Sequence, residues 1–313
     1  MVVVLGAGFG APSPVKVTQT LVRSSLNPSA GLTARPEPPI MVLGASSLVG
    51  RYVLPEAADR GLSALGLGRK AGTANWVTAD LAAPDLQNQL PDLSVVICTA
   101  SLWVLPQALE ALAARGMTRL VAFSSTSRFT KTASNHAGER AVAERLRRAE
   151  EAVIAFCEAR NIGWTLLRPT LIYAEGQDRN ISRLAGLIRR FGVLPIAGQG
   201  LGRRQPVHGQ DLARAALDAA ASPAAVNRAY DLPGGETLTY RAMTERVFAG
   251  LGRKPLILSV PLPLWRLGLT LASPLLPGAT SAMGERMAED LVFDSEPAAA
   301  DFGWSPRDFH PKF

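Results

Sequence analysis

The sequence predicts an α/β protein built on a doubly wound parallel sheet. Three observations carry this. Apolar strand-like runs alternate with helical patterns from Pro39 to Tyr173. Runs such as "SVVICTA" (94–100) and "RLVAF" (119–123) are apolar at almost every position, as expected of parallel strands buried on both faces. And "IMVLGA" (40–45) feeds a glycine-containing turn that leads into a helix.

Two stretches compete for the first strand and turn, "MVVVLGAGFG" (1–10) and "PIMVLGASSLVGRYVL" (39–54). A glycine turn binds pyrophosphate when a helix amino-terminus follows it, supplying free N–H groups and a positive dipole end. After Gly10 come Pro12 and Pro14 and no sustained apolar stripe, so extended chain is expected there. Residues 1–38 therefore read as an N-terminal extension, poorly ordered. After Gly44, by contrast, Leu48, Val49, Tyr52 and Val53 recur at helical spacing, and Gly61 suits a stop. Gly44 allows the tight turn and Gly50 close helix–strand packing, while Ser47 stands at the usual middle glycine.

The remaining elements follow in order. "LSALGLGRK" (62–70) is a second strand; Arg69 and Lys70 stand near its end, where NAD-preferring proteins carry an acid, so a 2′-phosphate and NADP are the better match than NAD. "WVTADLAAPDL" (76–86) is a strand turning at Asp80-Leu81, and "LSVVICTA" (93–100) a central strand. A helix ending at Gly116, the strand "RLVAFSSTS" (119–127), a long amphipathic helix from Ser134 and the strand "GWTLLRPTLIY" (163–173) complete the alternation. Ligands of such sheets sit beyond the carboxyl ends of the strands. Ser46, Ser47, Thr99, Ser124 to Ser127 and Pro169 to Tyr173 fall there.

Composition narrows the function. The chain has 313 residues, 47% hydrophobic, enough for one large domain with a lobe, and 19% charged, too few for a disordered chain. The net charge of +7 comes from dispersed arginines without a basic block, which argues against nucleic acid and for an anionic small molecule. Cys98 and Cys157 lie in apolar patterns and read as buried thiols in a reducing, cytoplasmic setting. His136, His208 and His310 are far apart in sequence, so no metal site is expected. The most apolar segment, 256–278, is broken by Ser259, prolines and Arg266; it reads as a packed lobe helix, with a peripheral membrane or partner contact as the alternative.

Taken together, "VLGASSLVG", "TADL", "AFSSTS", "WTLLRPTLIY", "RRQPVHGQDLA" and "FDSEPAAADFGWSP" resemble, in order, the extended short-chain dehydrogenases/reductases, the family of the nucleotide-sugar epimerases and dehydratases. The resemblance runs from residue 39 to the end. It implies a Rossmann domain over 39–175 and a substrate lobe over 176–313, with residues 203–232 returning to the sheet. It implies that Asp80 and Leu81 flank the adenine, that Thr99 and Ala100 lie along an NAD(P) cofactor, and that homodimers are common. The family's mechanism uses an alcohol, a tyrosine and a lysine. Thr126 matches the alcohol, with Ser125 beside it. Anchoring the long helix on Glu151 puts Arg147 at the lysine and Ala143 at the tyrosine. No tyrosine lies between Tyr52 and Tyr173, so the usual Tyr-x-x-x-Lys pair is missing. Either the base is replaced, with Lys131, His136 and Tyr173 as candidates, or the protein is a catalytically silent NAD(P)-binding regulatory or assembly protein. In the lobe, Asn180, Arg204 and Arg286 match phosphate-contacting positions of the nucleotide-sugar enzymes, with Tyr173 at the substrate edge. His208 reads as structural and Asp211 as a helix N-cap.

Overall fold

The computed structural model describes residues 38–70, 72, 75–265, 284 and 286–313. The readings made for residues 1–37 and for 266–278 lie outside the described residues. Strands occupy Ile40–Leu43 (β1), Ala64–Gly68 (β2), Trp76–Thr78 (β3), Val95–Cys98 (β4), Arg119–Phe123 (β5), Gly163–Pro169 (β6), Ile172–Tyr173 (β7), Leu194–Ala197 (β8), Arg203–Arg204 (β9), Val207–His208 (β10), Arg228–Leu232 (β11), Leu238–Thr239 (β12) and Ile257–Val260 (β13). Helices occupy Gly50–Asp59 (α1), Leu86–Gln89 (α2), Leu109–Ala114 (α3), Ser127–Thr130 (α4), Ala137–Ala159 (α5), Ile181–Phe191 (α6), Gly209–Ala221 (α7), Tyr240–Gly250 (α8) and Glu296–Phe302 (α9).

Seven parallel strands form the central sheet in the order β11-β6-β5-β4-β1-β2-β3, a Rossmann fold. The chain reverses direction across the sheet between β1 and β4, the switch point at which such sheets bind ligands. Strand side chains alternate between two cores. Val96, Cys98, Leu120 and Ala122 pack with α3 and α5 on one face. Val42, Ile97, Val121 and Leu167 pack with α1 and α7 on the other. Both thiols are buried, which pushes Cys98 up to about 12 and Cys157 up to about 11.

The two glycines inside β2 have a packing cause. The indole of Trp76 lies so close that a Cβ at Gly66 or Gly68 would come within 2.6 Å of its ring.

The strand read as 163–173 breaks at Thr170. Ile172 and Tyr173 leave the sheet and pair with Val207 and His208. The lobe core gathers Ile181, Ile188, Ile196, Met243, Phe248 and Phe309 around Tyr173. The chain then returns, β11 pairing with β6 at the sheet edge. Thr239 caps α8, its hydroxyl accepting from the Ala242 amide at 3.0 Å. Asp211, expected as the cap of α7, instead holds the Arg307 guanidinium at 2.7 Å. The cap is His208, whose Nδ1 accepts from the Gln210 amide at 3.1 Å. That bond leaves Nε2 protonated and facing Glu175 Oε2 at 3.2 Å.

Burial first, and the Arg307 charge second, hold the His208 imidazole below its ordinary value, against the opposing pull of Glu175 and Asp211. Above the ordinary histidine pKa of about 6.5 the ring is neutral whether folded or not. Below it the unfolded chain takes up a proton that the folded chain refuses. Stability should therefore fall as pH drops from 6.5 toward the lowered folded value, by up to about 1.4 kcal/mol per pH unit. Urea melts at pH 7.5 and 5.5 check this; His208→Gln should flatten the slope, and an unchanged slope would remove His208 as its source.

Candidate functional site

At the switch point the carboxyl ends of β1, β4, β5 and β6 enclose a cavity of about 340 Å³. The turn after β1 contributes Ser47, Leu48 and Val49; the segment after β4 contributes Thr99, Ala100, Ser101, Leu102 and Trp103. Phe123, Ser124, Ser125 and Ser127 come from the end of β5, Pro169 and Ile172 from the end of β6, and Val142 and Leu146 from α5. Trp103 lies under the Arg145 guanidinium, 4.2 Å from ring centroid to Cζ. None of the lining residues is ionisable.

The glycine turn is clasped to the neighbouring strand. The Thr99 hydroxyl donates to the Gly44 carbonyl at 2.8 Å and accepts from the Ser47 hydroxyl at 3.0 Å. Ser47 Oγ in turn accepts from the Gly50 amide at 3.0 Å, capping the start of α1. The serine at the middle glycine position thus turns its hydroxyl inward. Gly44 has φ of +70° and sits against Ala100; a Cβ there would lie 2.6 Å from the Ala100 nitrogen. At Gly50 a Cβ would lie 2.4 Å from the Gly44 carbonyl oxygen. A cradle this close, ending on a helix amino-terminus, fits a pyrophosphate held by backbone N–H groups. Arg51, which the sequence reading passed over, adds a cation in the first turn of α1 and reaches Gln177 of the lobe. Ser46 is exposed beside the turn.

Behind the cavity is a buried charge cluster. Glu150 is completely buried and paired with Arg128 and with Arg168, the latter at 2.7 Å. Ser124 donates its hydroxyl proton to Glu150, so toward the cavity Ser124 presents only lone pairs. Burial lowers both Arg128 and Arg168 from the usual arginine value, though far from neutrality. The Phe129 ring stacks beneath both guanidinium groups.

Several expected site residues lie elsewhere. Thr126 is turned into the protein, its hydroxyl donating to the Pro169 carbonyl at 3.2 Å; Ser124, Ser125 and Ser127 face the cavity instead. Arg147 does not reach it. It is held on the outer surface of α5 between Glu144 and Glu151, both at 2.7 Å. The helix faces the cavity one residue earlier than the anchoring on Glu151 implied, with Val142, Leu146 and Glu150 in line at i, i+4 and i+8. Tyr173 is buried in the lobe core, edge-on to His208 and Phe309, which raises it well above the usual phenol range.

The lobe arginines are also engaged. Arg204 donates to the carbonyls of Arg203, Glu289 and Arg286, and Arg286 pairs with Glu139 at the start of α5. Asn180 is exposed, and Asp178 makes the hydrogen bonds that open α6, accepting from the Asn180 amide at 2.8 Å. Asp80 is exposed and accepts from the Ala82 amide at 3.0 Å, shaping its turn, while Leu81 is buried in the core. Arg69 and Lys70 are exposed at the end of β2. His310, remote in sequence from the other two histidines, stands two residues from Asp308 and meets it and Glu236 with ligand atoms within 4.8 Å of one another. Glu236 there already accepts from Arg246 and from the Phe309 amide.

Comparison with known proteins agrees with this architecture. Residues 106–232 match the family model of the NAD dependent epimerase/dehydratase family. Over 119 residues, 37% of the chain, the sequence is 30% identical to NADH dehydrogenase [ubiquinone] 1 alpha subcomplex subunit 9, mitochondrial, of Arabidopsis thaliana; the match spans 28% of that protein. Among solved structures, MoeE5 in complex with UDP-glucose and NAD superposes with a TM-score of 0.64 at 19% identity, covering 87% of this chain and 94% of that one. UDP-N-acetylglucosamine 4-epimerase from Bacillus cereus gives a TM-score of 0.61 at 17% identity, covering 80% and 96%. These structural likenesses establish the fold.

Proposed function

We propose that this chain, whose residues 106–232 match the model of the NAD dependent epimerase/dehydratase family, binds a nicotinamide dinucleotide at the switch point of its Rossmann sheet without that family's proton-transfer chemistry. One observation carries this. The α5 positions that look into the cavity at the tyrosine–lysine spacing are Val142 and Leu146, and neither can hold or move a proton. The glycine cradle and the amino-terminus of α1 would take the pyrophosphate, Thr99 and Ala100 would run along the dinucleotide, and Ser124 would accept from an amide or hydroxyl donor. When bound, the nicotinamide supplies hydride chemistry; the chain's residues here only bind and orient. The protein then acts as a cofactor-dependent regulatory or assembly component.

The cofactor is NADP, supported by the two cations at the end of β2 and the lack of an acid among the described residues there. Arg69→Ala should weaken NADP binding at least tenfold and leave NAD within twofold. Equal losses, measured by calorimetric titration, would reject the assignment.

A second reading keeps turnover of a nucleotide-sugar. It is favoured by the five serines that line the cavity and by fold relatives solved with UDP-glucose and NAD. It requires Arg204 and Arg286 to leave their present partners. Titration of NADP and NAD followed by a panel of UDP-sugars separates the two. Cofactor binding with no product and no change in nicotinamide absorbance supports the first, and turnover supports the second. Failure to bind either dinucleotide would sink both.

A further inference from the structure

The lobe carries an apolar strip that its own core does not use. Leu256, Leu258, Leu262 and Leu264 are 54%, 51%, 37% and 59% exposed, and Phe191 at the end of α6 is 58% exposed. The fold brings these residues to one region. β13 lies parallel to β8, with Leu258 opposite Pro195 and both exposed. The Leu194 amide donates to the Leu256 carbonyl at 3.0 Å. Arg253 donates to the Ile188 carbonyl at 2.8 Å, tying the end of α6 to the chain entering β13.

The charged residues that flank this strip along the described chain are cations. Arg189, Arg190, Arg253 and Lys254 are all exposed. Arg190 stacks on Phe191 at 5.2 Å, which places a cation on the rim of the apolar surface. In the sequence no acidic residue occurs between Asp178 and Asp211, and none between Glu245 and Glu285. A protein partner would meet a surface of mixed charge around an apolar centre. Leucines beside the exposed Arg189, Arg190, Arg253 and Lys254 instead match an anionic lipid surface, where apolar side chains enter the headgroup boundary and basic ones meet phosphates.

We propose that this face of the lobe, centred on Leu258 and Leu264 and flanked by Arg190 and Lys254, docks on the surface of bilayers containing anionic lipids. Among the described residues no helix is long and apolar enough to cross a membrane, and the contact proposed is with the bilayer surface. It involves none of the cavity residues.

The test uses the full chain with vesicles of phosphatidylcholine alone and of phosphatidylcholine with about a third phosphatidylglycerol, separated by sedimentation. Binding at least tenfold tighter to the anionic vesicles, and weakened by 0.5 M salt (about a 4 Å screening length), is expected. The double variant Leu258→Asp/Leu264→Asp should lose at least tenfold, as should Arg190→Glu/Lys254→Glu, with thermal melts like the parent's because all four side chains are exposed. No binding, equal binding to both vesicles, or unaltered binding by the charge-reversed variant would overturn the proposal. So would a dimer, seen by light scattering and dissolved by Leu258→Asp, in a protein that ignores vesicles.

Discussion

Gly44→Ala should abolish dinucleotide binding, whereas Gly61→Ala should leave it intact. The two glycines have the same φ of +70°, so the backbone cost of adding a side chain is alike, about 1–2 kcal/mol. They differ in surroundings. At Gly61 a Cβ meets nothing within 4 Å, but at Gly44 it would lie 2.6 Å from the Ala100 nitrogen and 2.9 Å from its Cα. Those atoms belong to the segment after β4 and cannot rotate aside. The turn must move off the strand, breaking the Thr99 clasp on the Gly44 carbonyl and displacing the amides at the head of α1. A loss of at least a hundredfold in dinucleotide affinity is expected, about 2.7 kcal/mol at the site. Calorimetric titration of both variants, with circular dichroism to confirm folding, measures it. Equal affinities for the two would mean that the cavity is not the dinucleotide site.

Glu150→Ala should cost far more stability than the same change at its neighbour Glu151. The Glu150 carboxylate is completely buried and answers Arg128 and Arg168, which are 23% and 14% exposed. Removing one partner of a buried pair strands the other charge, at about 3–5 kcal/mol. Partial access of water to the two arginines favours the lower end, about 3 kcal/mol. For a chain of 313 residues, at about 2.1 cal/mol/K of unfolding entropy per residue, that is a fall in melting temperature of roughly 5 °C. Glu150→Gln, which keeps the acceptor for Ser124, should fall between. The neighbouring Glu151→Ala is the control. Its side chain is 54% exposed, and little change is expected. Similar melts for Glu150→Ala and Glu151→Ala would contradict the burial.

That pair of glutamates also shows why the sheet could be read from the sequence more fully than the site. Strands such as Val95–Cys98 and Arg119–Phe123 announce themselves because burial on both faces leaves few polar positions. The turn at Gly44 was legible because strand, glycine and helix occur together. Which side of α5 faces the cavity depends on choosing between adjacent residues, and one step along a helix turns the side chain by about 100°. Glu150 and Glu151 are chemically the same letter; only the pairing with Arg168, which arrives from β6, separates them. The lobe arginines failed for a related reason. Arg204 and Arg286 look like phosphate ligands in sequence, yet backbone carbonyls and Glu139 occupy them, and no pattern in the chain announces that use. Asp211 and His208 exchanged roles similarly, because Arg307, nearly a hundred residues away, claims the carboxylate.

The placement of β11 beside β6 has a consequence during synthesis. β6 ends at Pro169 and its edge partner begins at Arg228, so roughly 60 residues of intervening chain are made before the sheet can be completed. At about 5–20 residues per second, the nascent chain holds an unpaired, strongly apolar strand edge for roughly 3–12 seconds. The interval during which this protein is open to misassembly on the ribosome is therefore set by the length of chain between β6 and β11.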